Sequence, residues 1–300
     1  MIDVLVAGAI NTDLVARLQH APEEGETVTG ETFDIFGGGK GANQTLAAAR
    51  SGARTAILGA VGNDDFGRQR LTDLRSDGVD VSSVQVRPDA SSGVALITVE
   101  EATGQNRIAY VPGATLTITP DEAATAVRSL QPRIFLTTLE LPPESIAAAI
   151  RECRAIGAIV ILNATPEPGG AARFLGEIDA LIVNEPEALA LLRARPASDW
   201  WNVAESLRAI GPETVILTLG ANGAIASLSG ERLELPVPKV TVVDTTGAGD
   251  ALCGAYAAAL AAGLPAAIAL KRGVAAGSAA CTISGAQRSM PTLATIEEMI

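Results

Sequence analysis

Val242-Val243-Asp244-Thr245-Thr246-Gly247-Ala248-Gly249-Asp250 runs directly into an alanine-rich segment that starts at Ala251. The stretch reads as an extended segment, a turn of small residues, and the first turn of a buried helix. Gly247, Ala248 and Gly249 carry almost no side chain, so successive backbone N–H groups can point into open space. A helix N-terminus adds partial positive charge at the same place. Such a device binds an anion, most commonly phosphate. Asp250 would stand beside that anion, a poor position for a carboxylate unless it has chemistry to perform. A carboxylate next to a phosphate site suggests a general base that takes a proton from a hydroxyl nucleophile. The chemistry implied is phosphoryl transfer from a nucleotide to an alcohol. Read alone, the stretch also fits a glycine-rich entry to a core helix with Asp250 as a helix-start residue.

Composition narrows the class. Apolar residues make up 48% of the 300-residue chain and charged residues 19%, which suits a large core and excludes disorder. Aromatics are only 3%, so the core must be built from Ala, Val, Leu and Ile. A formal net charge of −12 argues against nucleic acid and anionic membrane surfaces as partners. A polyphosphate must then be held by local backbone donors and a metal. Cys153, Cys253 and Cys281 are far apart, a reduced, cytoplasmic pattern without a zinc site. His20 is the only histidine, which nearly excludes Ser-His-Asp catalysis. No signal peptide is visible at the N-terminus. The uncharged run 251–270 is broken by Gly263 and Pro265 and reads as two buried helices.

Val4-Leu5-Val6-Ala7 looks like a central strand buried on both faces, with Asn11, Thr12 and Asp13 at its carboxyl end. Ligands bind at that end in open α/β sheets, although such a tripeptide also serves as an Asx-turn or cap. Gly37-Gly38-Gly39-Lys40-Gly41-Ala42-Asn43-Gln44 then opens a helix to about residue 51. It is neither a Walker A loop nor a dinucleotide Gly-x-Gly-x-x-Gly turn. Its glycines allow close approach to a ligand, and Asn43 on the first helical turn faces the same space. Residues 92–99 and 107–111 around Thr103-Gly104 read as a hairpin, suggesting a small sheet laid over the main one as a lid. From about residue 119 helices and strands alternate. Strands are expected at 134–138, 158–162, 180–183 and 214–219, and a hairpin at 224–228 and 232–235. That pattern gives an α/β fold, a doubly wound, mainly parallel sheet with helices on both faces. One domain over 1–300 is expected, with lid strands at approximately 11–37 and 91–112. Glu140, Asn184, Glu187, Thr218, Gly220 and Asn222 follow strand ends and should line one crevice with Asn11, Asp13 and Asp250.

Taken in order, Gly8 to Asp13, Pro22 to Gly30 with Gly25-Glu26-Thr27-Val28, Gly38 to Gln44, Leu139-Glu140, Asn184 to Glu187, Leu217 to Gly220, Asp244 to Asp250 and Gly285 to Pro291 resemble the ribokinase-like (PfkB-type) carbohydrate kinases over essentially the whole chain. The segment Gly39 to Gln44 points, within that family, to members acting on ribose. The resemblance implies an ATP-dependent enzyme that makes D-ribose 5-phosphate and ADP. It makes Asp250 the base, and Gly247, Ala248 and Gly249 the anion hole. Asn11, Asp13, Gly39, Lys40, Asn43 and Glu140 would hold the sugar, Asp13 accepting from a vicinal diol. Asn184, Thr218, Gly220, Asn222 and Gly249 would contact the nucleotide. Asn184 and Glu187 would order Mg²⁺ through water. A potassium-like monovalent cation (K⁺) would sit at Asp244, Thr246, Ala280, Ile283, Gly285 and Ser289.

Other readings stay open. Deoxyribose, another pentose or hexose, or a nucleoside could replace ribose, and a non-catalytic sugar- or nucleotide-binding protein is a further alternative. A nicotinamide dehydrogenase is disfavoured by the missing glycine fingerprint after the first strand. Gly37 stands where the family carries a larger residue, which would loosen the lid hinge. Leu252 replaces a usual Phe, a core swap of small cost. Trp200-Trp201 could mark an interface or a core plug. Val94, Leu96 and Ile108 would leave the lid sheet apolar on an open face, so two lids are expected to pack as a homodimer.

Overall fold

The computed structural model describes residues 2–194 and 199–300. The chain opens with strand β1 (Val4–Ala7), then β2 (Asn11–Leu18) and β3 (Gly30–Gly38), before helix α1 (Lys40–Arg50). β4 (Thr55–Gly62), α2 (Asp65–Ser76), β5 (Val84–Arg87), β6 (Gly93–Glu100) and β7 (Asn106–Val111) follow. The next part alternates through α3 (Pro120–Leu130), β8 (Ile134–Thr137), α4 (Pro143–Ile156), β9 (Ile159–Asn163) and β10 (Ala180–Asn184). It continues with α5 (Glu185–Leu192), α6 (Trp200–Arg208), β11 (Thr214–Thr218), β12 (Ala224–Leu228) and β13 (Glu231–Leu235). Four helices close the chain: α7 (Ala248–Ala261), α8 (Ala266–Ala280), α9 (Ala286–Ser289) and α10 (Leu293–Glu298).

Nine strands form the main sheet in the order β13-β12-β11-β10-β9-β8-β1-β4-β5. Neighbours from β11 to β5 are parallel, and the β12–β13 hairpin adds an antiparallel edge. Alternation along each strand sends side chains to opposite faces. Leu5, Phe135, Val160 and Leu162 pack with Val127, Ile146 and Leu207 of α3, α4 and α6. Val4, Val6, Ile134 and Leu136 pack with Leu252, Tyr256 and Leu270 of α7 and α8. Burial on both faces explains the near-continuous apolar runs. The chain leaves β1 toward β4 and returns to β8 on its other side. The crevice above that switch point is where an open α/β sheet takes its ligand.

Two close approaches shape the crevice. A Cβ on Gly254 of α7 would lie 2.5 Å from the Ala47 Cβ and 2.7 Å from the Ala48 nitrogen, so α1 and α7 meet backbone to backbone. A Cβ on Gly8 would lie 2.8 Å from the Gly41 Cα, which presses the start of α1 against the exit of β1.

The second sheet has the order β3-β2-β6-β7 and only its β2–β6 pair is parallel. Its register sets Asp13, Phe36, Ala95 and Tyr110 on one face. The opposite face carries Phe33, Ile35 and Leu96, which are 61%, 49% and 50% exposed. Val94, half-buried, shares that face, but Ile108, although exposed, falls on the Asp13 face, so the expected grouping of Val94, Leu96 and Ile108 on one side does not form.

Several expectations move. Asn11 to Asp13 do not end the first strand; they open β2 of the second sheet, because β1 stops at Ala7. β5 was not anticipated, since its four residues, Val84 to Arg87, form a half-exposed edge without an apolar run. β9 extends to Asn163, one residue beyond the expected end. Gly37 does not leave empty room, because Gln287 fills the space its side chain would take and donates from Nε2 to the Gly38 carbonyl at 3.3 Å. Trp200 and Trp201 open α6 behind an Asp199 cap and pack partly buried against the main core, with Arg232 stacked 5.3 Å from the Trp201 ring. They plug the core. Leu252 is buried in the core, as the size of the swap requires.

Candidate active site

Gly247, at φ 80° in the left-handed region, precedes α7, and no side chain caps that helix. First-turn amides have no intrahelical acceptor. The Ala248 N–H turns back to the Thr245 carbonyl at 3.2 Å. A Cβ at Gly249 would meet nothing within 4 Å, so the positive end of α7 opens onto free space.

Asp250, in the first turn of α7, is only 7% exposed. Its Oδ2 accepts from Asn43 Nδ2 at 2.8 Å, and its Oδ1 accepts from Gln44 Nε2 at 2.9 Å. The same Gln44 amide donates to Asn163 Oδ1 at 3.0 Å, and Asn163 Nδ2 donates to the Ile182 carbonyl at 3.1 Å. The α1–α7 approach therefore aims the carboxylate and locks its plane. Burial pushes the Asp250 carboxyl above its usual range, against the pull of Lys40 and of the two amide hydrogen bonds. A carboxylate with raised proton affinity is a better base near neutral pH.

Glu140 ties the other side together. Its Oε2 accepts from the Ala9 and Gly41 amides at 2.8 and 3.1 Å and from Thr138 Oγ1 at 3.0 Å. Its Oε1 accepts from the Lys40 amide at 3.2 Å. Gly39, at φ 89°, has no side chain to cap α1, so Glu140 performs that service from the loop after β8. The amides of Lys40 and Gly41 are fixed as a result.

Above Asp250 the second sheet supplies Asn11 and Asp13. Asn11 is buried, and its Oδ1, like that of Asn43, has no hydrogen-bond partner. Two buried acceptors without donors suit a ligand rich in hydroxyl groups. Gly38 leaves just the room that the Asp13 carboxylate fills. Burial pushes the Asp13 carboxyl up to about 6; Arg70 and Lys40 pull it down and Glu140 adds to the rise.

A crevice of about 140 Å³ runs from Asp250 past Lys40, Asn163, Asn184, Glu187 and Thr218. Asn184 and Glu187 form a capping box at the start of α5: the Glu187 amide donates to Asn184 Oδ1 at 2.9 Å and the Asn184 amide to Glu187 Oε2 at 2.8 Å. Glu187 Oε1 takes no part in that box, and burial pushes the Glu187 carboxyl up. Thr218 stands level with Asn184 on the adjacent strand. Gly220 and Asn222 lie beyond the crevice in the exposed turn after β11.

Asp244 Oδ1 accepts from the Thr246 amide at 2.9 Å, and its Oδ2 accepts from the Gly285 amide at 2.9 Å. Burial works against that carboxyl, and these amides overcome it and hold it below its ordinary value. Ala280 and Ile283 lie on the turn that leads there, and Ser289 donates to the Ala286 carbonyl at 2.8 Å one turn further on. Gln44 and Asn163 were not among the expected site residues. Gln44 stood in plain view beside Asn43. Asn163 was hidden by ending its strand one residue early, although polar residues at strand ends were the signal in use.

A buried carboxylate beside an open helix N-terminus, at the switch point of a doubly wound sheet, suits a phosphotransferase that acts on an alcohol. The chain belongs to the pfkB family of carbohydrate kinases, whose profile matches residues 1–293. It is an ATP-dependent carbohydrate kinase. Ribokinase of Schizosaccharomyces pombe is 37% identical over 316 aligned positions, covering 99% of this chain and 97% of the relative. A deoxyribokinase of Salmonella typhi is 31% identical, covering 99% of this chain and 98% of its own. The structure of Arabidopsis thaliana ribokinase complexed with ribose and ATP superposes with a TM-score of 0.92 at 28% identity, covering 99% of this chain and 98% of that one.

Proposed function

We propose that the enzyme moves the terminal phosphoryl group of ATP to the primary hydroxyl of D-ribose, giving D-ribose 5-phosphate and ADP. The observation that carries this is the pairing of buried Asp250 with the uncapped amides of α7. Asp250 takes the hydroxyl proton while the amides around Gly247, Ala248 and Gly249 receive the charge that develops on the transferring group. Donors fixed before reaction contribute a few kcal/mol to such a step. Lys40, beside Asp250, adds positive charge along the same path.

Asn11, Asp13, Gly39, Lys40, Asn43 and Glu140 form the sugar side. The orphaned Asn11 and Asn43 oxygens accept sugar hydroxyls, and Asp13 accepts from two neighbouring ones. Glu140 acts through the main chain it holds. Asn184, Thr218, Gly220, Asn222 and Gly249 form the nucleotide side. Among the described residues no three His, Cys, Asp or Glu side chains gather as a metal cluster. Glu187 Oε1 with Asn184 fits Mg²⁺, which keeps several waters and is completed by phosphate oxygens. When bound, Mg²⁺ neutralises charge on the triphosphate. Asp244 with the oxygens around Thr246, Ala280, Ile283, Gly285 and Ser289 fits a monovalent cation such as K⁺.

The reduced thiols support a cytoplasmic enzyme. No helix among the described residues is long and apolar enough to cross a membrane. The apolar outer face of the β3-β2-β6-β7 sheet supports a lid that pairs with a second copy; light scattering at micromolar concentration should give a dimer. The deoxyribokinase relative supports deoxyribose as a second substrate reading. A coupled assay of ADP release over a panel of pentoses, hexoses and nucleosides tests both. Ribose should give the highest kcat/KM, and a higher value for deoxyribose reverses the assignment.

A further inference from the structure

Arg70 has no part in the site assembled above, yet its environment is unusual. It lies in the middle of α2 and is 7% exposed. Its Nη2 meets Asp73 Oδ2 at 2.9 Å, while Nε and Nη1 are buried without a hydrogen-bond partner. A guanidinium presents a rigid fork, and leaving its donors unpaired in the interior is costly. Arg70 lines a cavity of about 330 Å³ between α2, β3 and the start of α9. The other charges on its walls are engaged. Arg50 forks onto Asp77 at 2.8 and 3.1 Å, and Arg288 stacks 4.8 Å from the Phe36 ring.

Phe36, on the lid side of that cavity, pairs across strands with Asp13 and shares its face. α2 packs against β2, which carries Asp13. Asp13 makes no side-chain hydrogen bond among the described residues; the charges that face it are Arg70 from α2, Lys40 from α1 and Glu140 from the loop after β8. A buried cation and a half-buried carboxylate, each short of a partner, thus stand on adjacent elements.

We propose that Arg70 is a positioning residue for the sugar site: the end of its guanidinium, formed by the free Nη1 and the second N–H of Nη2, engages the Asp13 carboxylate when the sugar enters, fixing the plane in which Asp13 receives two hydroxyls. A guanidinium fork matches a carboxylate edge, and each carboxylate oxygen keeps a lone pair for a sugar hydroxyl. Arg70 also favours the ionised form of Asp13. The inference rests on the reading that Asp13 holds the sugar.

The test is the pH profile of kcat/KM for ribose in Arg70→Gln and Arg70→Lys, with ribose affinity measured by calorimetry. Arg70→Gln should raise KM about tenfold at neutral pH with kcat within about twofold, and move the acid limb of kcat/KM to higher pH. Arg70→Lys keeps the charge and loses the fork, so KM rises while the acid limb stays near its wild-type position. If Arg70→Gln does not fold, an unchanged KM in Arg70→Lys overturns the proposal by itself. An acid limb that does not move in a folded Arg70→Gln also overturns it. Asp13→Asn separates the two levels. Wild-type ribose affinity in Asp13→Asn sinks the sugar assignment, whereas lost affinity there with an unaltered Arg70→Gln sinks only the role of Arg70.

Discussion

Helices α5 and α7 begin on the same crevice and treat their N-termini in opposite ways. α5 closes its own with Asn184 and Glu187, each side chain taking the other's amide. α7 starts from Gly247 with no side-chain cap. A good cap contributes about 1 kcal/mol, so the bare terminus is the less stable arrangement. The difference teaches how to separate a helix end kept for the fold from one left for a ligand. The first spends its donors internally; the second keeps them, and adds Asp250 beside them with its proton affinity raised by burial.

The largest effect expected is on that carboxylate. Asp250→Asn keeps the shape but cannot take a proton, so kcat should fall about 10²–10⁴-fold while ribose binding survives. Removing a charge that burial disfavours should leave Tm unchanged or higher. A coupled ADP assay beside calorimetric ribose titration reads both. Retained kcat would end the assignment of Asp250 as base and, with it, the contrast between the two helix ends.

Gly249→Ala probes the open terminus without disturbing the fold. A methyl there meets no atom within 4 Å, and Ala is the better helix former by up to about 1 kcal/mol. Thermal stability should therefore hold or rise while kcat drops about tenfold to hundredfold, because the methyl enters the space meant for the transferring group. Steady-state kinetics with a melting curve on the same sample decides it. A variant with wild-type kcat would show that the anion lies elsewhere.

Asp13 gives a third, smaller effect with a defined sign. Its folded value is about 6, raised by burial from an ordinary 3.8. Between those values the folded chain keeps a proton that the unfolded chain has released. Stability therefore falls as pH rises through that window and stays lowered above it, with a ceiling of about 3 kcal/mol. Asp13→Asn should then raise the Tm of the ligand-free protein at pH 7 to 8, a gain that disappears near pH 4, while ribose KM rises sharply. In the wild type, kcat/KM for ribose should decline about tenfold per pH unit below roughly 6. A flat profile would mean that the ionised Asp13 carboxylate is not what holds the sugar.

The fold was legible where local rules act alone. The alternation of apolar strands and helices from about Thr119 onward needed only local periodicity. The nine-residue signature ending at Asp250 pointed to phosphoryl transfer because its glycines and its acid are adjacent in sequence. What stayed hidden depends on distance. Glu140 caps α1 from 100 residues away, and nothing near Gly39 announces it. Gln287 fills the space beside Gly37 across 250 positions, so a glycine that looked like a loose hinge is packed. Asn163 was lost to a one-residue boundary, the least dependable part of any strand assignment.

Asn184→Ala sharpens the comparison most finely, because its effect should be small and of a different kind. Losing the cap should cost about 1 kcal/mol, a fall in Tm of about 2 °C in a chain of this size. Glu187→Gln should spare Tm, since glutamine can serve in a capping box, yet raise the Mg²⁺ concentration needed for half-maximal rate. The two neighbours would then divide one motif between stability and metal. If Asn184→Ala instead depressed kcat as far as Gly249→Ala without lowering Tm, the cap would be incidental. The closed terminus of α5 would then belong to the reaction as fully as the open one of α7.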